Sequence, residues 1–366
     1  MGDDRQEEAL EPQGPNGDGA GAKSPEAASE ANRYTSIPLS SLRMDTVTGF
    51  NLYMKVGKDK YVLYRGVDLK FTEEHKAKLH QSKVRRLYIS ASERSHYLRY
   101  LEGNLAGIIN DSALPDGQKA QILYDSATHM IEDVFDKPTV GENIERSHDL
   151  VDVTVRHLLK GPASLTSMLN SMSFDYRVYS HSVNVCVFGI ALGRRIGLSA
   201  AELNQLGAGL LLHDVGKSVI DPAILKKEGP LTDEEWAIIK THPERGVELL
   251  KDSNGMAPAS LSVVLQHHEK CSGEGYPHGL REEEIHLYAK IAALADVFDA
   301  LTTDRPYGQA SDSFPAIRIM QSEMAGAFSE RLLRELILMM TGSNLEVPAA
   351  GSPVDSTSKK NLRASG

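Results

Sequence analysis

The chain has 366 residues, of which 41% are hydrophobic, 25% charged and 6% aromatic, and its formal net charge is −10. The length gives room for two or three domains with cores of their own, and the acidic balance argues against general affinity for nucleic acid or an anionic membrane. Two cysteines, Cys186 and Cys271, are present, too few for a disulfide framework and consistent with a reducing compartment.

The opening MGDDRQEEAL is acidic and polar, unlike a signal peptide. Residues 1–33 carry eight acidic and three basic side chains among Gly, Pro and Ala. Such a segment has too few apolar groups to offset the entropy of ordering and is expected to be disordered; the tail at 346–366 reads the same way. Residues 34–97 are expected to form a small α+β module. NLYMKV and KYVLYR are β-prone runs around GKD, a hairpin signal. FTEEHKAKLHQ then reads as a helix with Thr72 at its N-cap, and RRLYIS as a further strand. The module shows no acidic cluster, phosphate loop or metal spacing. A sensor or docking role for a protein partner and a purely structural cap both fit it.

From there the pattern is helical. SHYLRYLEGNLAGIIN, GQKAQILYDSATHMIEDVF and NIERSHDLVDVTVRHLLK space apolar residues by three and four, predicting a helical linker over 98–164 before a helical domain over 165–345. The most apolar stretch, VNVCVFGIALG at 183–193, is far too short to span a bilayer and ends at Arg194 and Arg195. A cytoplasmic protein without a membrane span is therefore expected.

The densest chemical signal is LLLHDVGK at 210–217, where an apolar run brings a helix to its end at His213-Asp214 and Gly216 allows the chain to turn away. A neutral nitrogen donor beside an anionic oxygen donor is a mixture that first-row divalent cations favour; a simple His–Asp hydrogen bond at a helix terminus is the alternative. Further histidines shift the balance. His181 sits near the start of an apolar helix. His242 follows a helix opened by LTDEE, in which Thr232 and Glu235 fit a capping box. His267-His268 follow the apolar run LSVVLQ, and Asp296 lies in IAALADVFDALT. Five histidines and two aspartates at such places can converge on one interior, whereas His75, His80, His129, His148, His157, His278 and His286 lack the arrangement.

The order H…HD…H…HH…D, with HDVGK, HHE, GYP and the DVFDALT stretch running into RPY, resembles the HD-GYP family of cyclic dinucleotide phosphodiesterases, a branch of the HD-domain metal-dependent phosphohydrolases. The resemblance covers roughly residues 165 to 340, just under half the chain, and extends to ILKKEGPLTDEEW. It implies a mainly α fold, an all-helical bundle with a five-helix HD core plus extra helices, preceded here by the small α+β module. It also implies metal ligands at His181, His213, Asp214, His242, His267, His268 and Asp296, with Asp214 bridging two metals, iron first and manganese second. Asp214 and Lys217 would be the catalytic pair, Lys217 and Arg305 would meet substrate phosphate, and Tyr276 and Pro277 would shape the pocket.

Two departures stand out. Where some members have a third-metal Glu four residues before the first ligand, this chain has Arg177, which cannot ligate a cation. The family's HHExxDGxGYP reads HHEKCSGEGYP here, so Ser272 replaces an Asp and can still cap the turn, more weakly and without charge. Cys271 in the same loop reads as an inert thiol rather than a redox switch.

The implied reaction is hydrolysis of cyclic di-GMP to linear pGpG by a metal-bridging hydroxide, with slow continuation to GMP allowed, in bacterial second-messenger signalling. Two divalent cations, two aspartates and a hydroxide leave about one net positive charge for an anionic substrate, which a carboxylate-rich shell would cancel. Two alternatives remain: hydrolysis of another cyclic dinucleotide such as cyclic GMP–AMP, since no motif visibly reads the base, and a weakly active binding scaffold. The resemblance is compatible with a homodimer; no interface signature appears in the sequence.

Overall fold

The computed structural model describes residues 33–57, 60–138, 141–172, 178–227, 229–253, 256–303 and 313–341. Nearly all of the segment expected to be disordered at 1–33, the tail at 346–366, and both Arg177 and Arg305 lie outside the described residues.

The N-terminal module contains strands β1 (Tyr34–Pro38), β2 (Thr46–Val47), β3 (Leu52–Lys55), β4 (Tyr61–Arg65), β5 (Lys70–Phe71) and β6 (Arg86–Ser90), with helix α1 (Glu73–Gln81) before the last. Four strands form an antiparallel sheet in the order β1-β6-β3-β4, and β2 pairs with β5. The hairpin expected around GKD is the β3–β4 pair. RLYIS alternates as a strand with one covered face should: Leu87 and Ile89 are buried and their neighbours are not. Helix α1 begins after Thr72, whose backbone N–H donates to His75 Nδ1 at 3.2 Å; this imidazole supplies the return bond that Glu or Gln makes in an ordinary capping box.

Helix α2 (Arg94–Asn110) buries Tyr97, Leu101, Leu105 and Ile108 at three- and four-residue spacing. Phe50 of the module meets Tyr97 and Tyr100 edge-on, each at 5.5 Å between ring centres. Arg43 pairs with Asp111 at 3.0 Å just beyond the helix. The module is therefore seated on α2 by aromatic packing and an ion pair.

Helices α3 (Asp116–Asp136), α4 (Gly141–Leu159) and α5 (Pro162–Ser171) follow. They do not stand apart as a linker. α3 and α4 are buried on more than one side and α5 on one face, so Ala127, Leu150, Val151 and Met168 share one interior with Val183, Val187 and Leu211 from later in the chain. Arg146 binds α2, α3 and α4 together: its guanidinium donates to both oxygens of Glu102 at 2.6 and 2.7 Å and to Asp133 at 3.0 Å.

The rest is helical: α6 (Val178–Arg195), α7 (Ala200–Leu212), a 3-10 turn at Val215–Val219, α8 (Pro222–Leu225), α9 (Asp233–Ile239), α10 (His242–Leu250), α11 (Pro258–Gln266), α12 (Leu287–Thr302), α13 (Ser313–Ser322) and α14 (Glu330–Met340). The protein is thus mainly α, a helical bundle preceded by a small α+β module. No helix among the described residues is long and apolar enough to cross a membrane.

Replacing Arg146 with Ala leaves the half-buried Glu102 without its cation and leaves Asp133 only the more distant Arg99 at 3.7 Å. A loss of about 2–4 kcal/mol is expected in urea unfolding, with Lys recovering only part because it cannot fork to both oxygens of Glu102.

Candidate metal centre

The seven histidine and aspartate positions singled out in the sequence come from five separate places and meet in one interior. His181 lies in the first turn of α6. His213 caps the C-terminus of α7, and Asp214 follows it. His242 opens α10, His267 caps the C-terminus of α11 with His268 next, and Asp296 lies within α12. The ligand atoms fall into two groups, each within 4.8 Å: Asp214, His242, His267 and His268 in one, and His181, His213 and Asp296 in the other.

Asp214 stands between them. Its Oδ1 is 3.3 Å from His242 Nε2 and 3.8 Å from His267 Nε2. Its Oδ2 is 3.4 Å from His213 Nε2 and 3.8 Å from His181 Nε2. One carboxylate thus presents a separate oxygen to each group, and it is 1% exposed.

The tautomers follow from the partners of the other ring nitrogens. His213, His242 and His267 each donate Nδ1–H to a carbonyl one helical turn back, on Leu210 at 2.7 Å, Ile239 at 2.8 Å and Val264 at 2.9 Å. A carbonyl can only accept, so each Nε2 keeps its lone pair aimed inward. The Nε2 atoms of His242 and His267 lie 3.1 Å apart, and the buried His213 Nε2 and Asp214 Oδ1 make no hydrogen bond. Acceptors facing acceptors at this range repel unless a cation lies among them. The donor set is that of a centre for divalent metal ions.

His181 is held differently. Its Nδ1 donates to Asp299 Oδ2 at 2.7 Å, while Nε2 lies 3.2 Å from Asp296 Oδ1. Asp299 is fully buried and also accepts from Asn184 Nδ2 at 2.8 Å and Thr303 Oγ1 at 3.1 Å. Asp299 was missed in the sequence, although it lies three residues after Asp296 and so one turn along the same helix face.

Two glycines set the backbone. A Cβ on Gly216 would lie 1.9 Å from the carbonyl oxygen of His242. Its role is thus a close approach between the turn after His213-Asp214 and the start of α10, not the change of direction expected from the sequence. A Cβ on Gly275 would lie 2.4 Å from Glu269 Cα and Lys270 N, so the GYP loop folds flat onto its own start. Glu269, buried, accepts from the backbone N–H of His278 at 2.7 Å and of Leu280 at 2.9 Å. It was another residue passed over in the sequence, with HHE as the available signal. Tyr276 N–H donates to the His268 carbonyl at 3.2 Å, and its ring stacks on the His268 imidazole at 4.6 Å. Pro277 follows, half-buried beside it. Ser272 Oγ accepts from Glu274 N–H at 3.4 Å, a long version of the expected cap. The Cys271 thiol is pushed up by burial and by Glu282, away from the reactive thiolate. Lys217, half-buried, places Nζ 2.6 Å from Asp214 Oδ2.

Burial holds His242 down to about 4 and His268 down to about 3, and pushes His267 well below the usual imidazole value. All three are neutral at neutral pH, as imidazoles must be to ligate a metal. Burial also opposes charge on His181, but the hydrogen bonds to Asp296 and Asp299 outweigh it and raise the imidazole to about 10. Burial works against the Asp214 carboxylate as well, and is overcome chiefly by the Lys217 ammonium beside it, which holds it well below the usual carboxylate range. To ligate a metal through Nε2, His181 must release a proton, so metal uptake there is linked to pH.

Residues 168–329 match the family model for an HD domain. The cyclic di-GMP phosphodiesterase PA4108 of Pseudomonas aeruginosa is 36% identical over 220 residues, 60% of this chain and 53% of that protein. The 3'3'-cGAMP-specific phosphodiesterase 2 of Vibrio cholerae is 37% identical over 162 residues, 43% of this chain and 30% of that protein. Among solved structures, Bd1817, a HDG"Y"P protein from Bdellovibrio bacteriovorus, superposes with a TM-score of 0.59 at 25% identity, covering 84% of this chain and 100% of that one. The chain spans about half or less of the length of these curated relatives.

Gly216→Ala is expected to push α10 and His242 away from Asp214. A stability loss of about 1–3 kcal/mol should appear in thermal unfolding, together with weakened metal binding. The pH dependence of chelator-treated protein follows from the imidazoles. Below about pH 6.5 the unfolded chain protonates His242, His267 and His268 while the folded chain resists, so their contribution is lost as pH falls. The His181 contribution is complete below about pH 6.5 and is lost as pH rises toward 10. The melting temperature should therefore fall on both sides of neutrality, more steeply on the acid side, where three histidines act together. A flat profile between pH 4.5 and 7 would contradict these protonation states.

Proposed function

Because the chain belongs to the HD-GYP family, we propose that it is a metal-dependent phosphodiesterase that opens cyclic di-GMP to linear pGpG. The observation that carries this reading is the single buried carboxylate of Asp214 with one oxygen toward each of two donor groups. His181, His213 and Asp296 would hold one divalent ion and His242, His267 and His268 the other, with Asp214 bridging. An imidazole-rich set suits iron first and manganese second. Such a pair, when bound, supplies an acidified water and positive charge against the phosphodiester.

The chain's own residues supply the rest. Asp214 and the backbone-tethered imidazoles fix the donor atoms before substrate arrives, so little reorganisation is needed. Lys217, whose ammonium already reaches the inner edge of the centre, is assigned to a nonbridging phosphate oxygen, and Arg305 to a second phosphate contact. Tyr276 and Pro277 wall the pocket. Trp236, 44% exposed and edge-on to Tyr276 at 6.4 Å, extends that wall toward solvent and offers a face for a purine. With Arg177 in place of a third acidic ligand, pGpG rather than GMP is the assigned end product.

A second reading, hydrolysis of 3'3'-cGAMP, is favoured by the Vibrio relative of nearly equal identity. The two free cysteines support a cytoplasmic site of action, and the module at 34–97 is assigned to docking of a protein partner.

Protein purified without oxygen and loaded with iron or manganese should bind about two ions per chain and convert cyclic di-GMP to pGpG, followed by chromatography beside 3'3'-cGAMP. Preference for the second substrate would move the assignment within the class. Two bound ions with neither substrate cleaved would reduce the protein to a binding scaffold. Replacing His213 and Asp214 together with Ala should abolish both metal and turnover, and an active double variant would refute the site.

A further inference from the structure

A hydrogen-bonded chain enters the metal centre from outside the matched HD domain. Tyr124 lies on α3, upstream of residue 168 where the match begins. Its hydroxyl donates to Asn184 Oδ1 at 2.9 Å. Asn184 Nδ2 donates to Asp299 Oδ1 at 2.8 Å, and Asp299 Oδ2 accepts from His181 Nδ1 at 2.7 Å. Tyr124 and His181 are each 4% exposed, and Asn184 and Asp299 are fully buried. We propose that Tyr124 is a positioning residue for the metal centre, setting the orientation of His181 through Asn184 and Asp299. The inference rests on the metal-centre reading given above.

The polarity of each link gives the network its direction. A carboxylate accepts only, so Asn184 must turn its NH2 end toward Asp299. The two ends of an amide differ only in which is donor and which acceptor, so the partner on the far side decides the cost of reversal. A phenol donating to Oδ1 holds the amide in the productive sense. Reversed, the amide would bring its own oxygen against Asp299, in a dry interior where such a contact is costly. Asp299 is steadied further by Thr303 Oγ1 at 3.1 Å. With Asp299 fixed, the imidazole of His181 keeps Nδ1 as donor and Nε2 turned toward Asp214 and Asp296. Partners of this kind, one bond behind a ligand, tune its basicity and aim.

Location adds weight. Tyr124 has no part in the HD-GYP motifs, yet its helix also carries Gln118, which accepts from Ser40 of the N-terminal module at 3.0 Å. The same helix thus touches the module near one end and the ligand network two turns later.

The test is Mn(II) titration of the chelator-treated full-length chain, resolved into two sites by calorimetry and chelator competition. Tyr124→Phe keeps the ring and removes only the donor. It should weaken one of the two sites about tenfold, and Asp299→Asn should weaken the same site about 100-fold, while the second site stays within about twofold of wild type. In turnover, Tyr124→Phe should lower kcat at limiting Mn(II) and recover with excess, leaving KM unchanged. Wild-type binding at both sites in Tyr124→Phe overturns the proposal. So does equal loss at both sites with a lowered melting temperature, which would mark a purely structural role. If Tyr124→Phe does not fold, Asp299→Asn and Asn184→Ser decide between the same outcomes. Two-site Mn(II) binding without hydrolysis of any cyclic dinucleotide would end the functional reading and leave this one standing, since it is read from binding.

Discussion

Everything at the centre of this protein depends on one buried carboxylate. Asp214 is 1% exposed, and a charge in that position persists only where cations or strong donors surround it. Its two oxygens look in different directions, each toward a set of imidazole nitrogens. The helices are arranged around that demand. Imidazoles reach inward from helix ends at His213, His242 and His267, where the last free carbonyls of the turn behind are available to take the Nδ1 proton. A helix terminus therefore serves as both the end of a scaffold element and the device that sets a tautomer.

The same economy appears in the GYP loop. Glu269, the third residue of HHE, turns away from the centre and binds two backbone N–H groups of the loop that follows. It converts a loop into a rigid extension of α11 without adding charge to the donor set. Tyr276 then stacks on His268, which ties the loop directly to the donor set. The substitution at Ser272 falls on the exposed side of this loop. Glu269 makes its two bonds, to the N–H groups of His278 and Leu280, without the side chain at 272.

The helices before the HD domain also take part in the core. α3 and α4 bury residues among those of α6 and α7, Arg146 links them to α2, and Phe50 of the small module packs on α2. Contacts therefore run without a break from the module to the interior, and Tyr124 on α3 hydrogen-bonds to Asn184 beside the donors.

The local elements and the chemistry of this protein were written in its sequence. Strand alternation, helical spacing, the capping signals and the order of seven ligand-type residues are properties of neighbouring positions, and they suffice to read a mainly α bundle with a small α+β module and a histidine-rich interior. What required the tertiary structure was every relation between distant segments. The division of the donors into two groups, the placing of Asp299 behind His181, the contact of Gly216 with His242, and the incorporation of the 98–164 helices into the core all join residues far apart in the chain. Periodicity reports which face of a helix is buried but carries no information about which other helix covers it. Gly216 shows the difference plainly: as a letter it reads as freedom to turn, and only the carbonyl of His242 beside it shows that the missing side chain is there to make room.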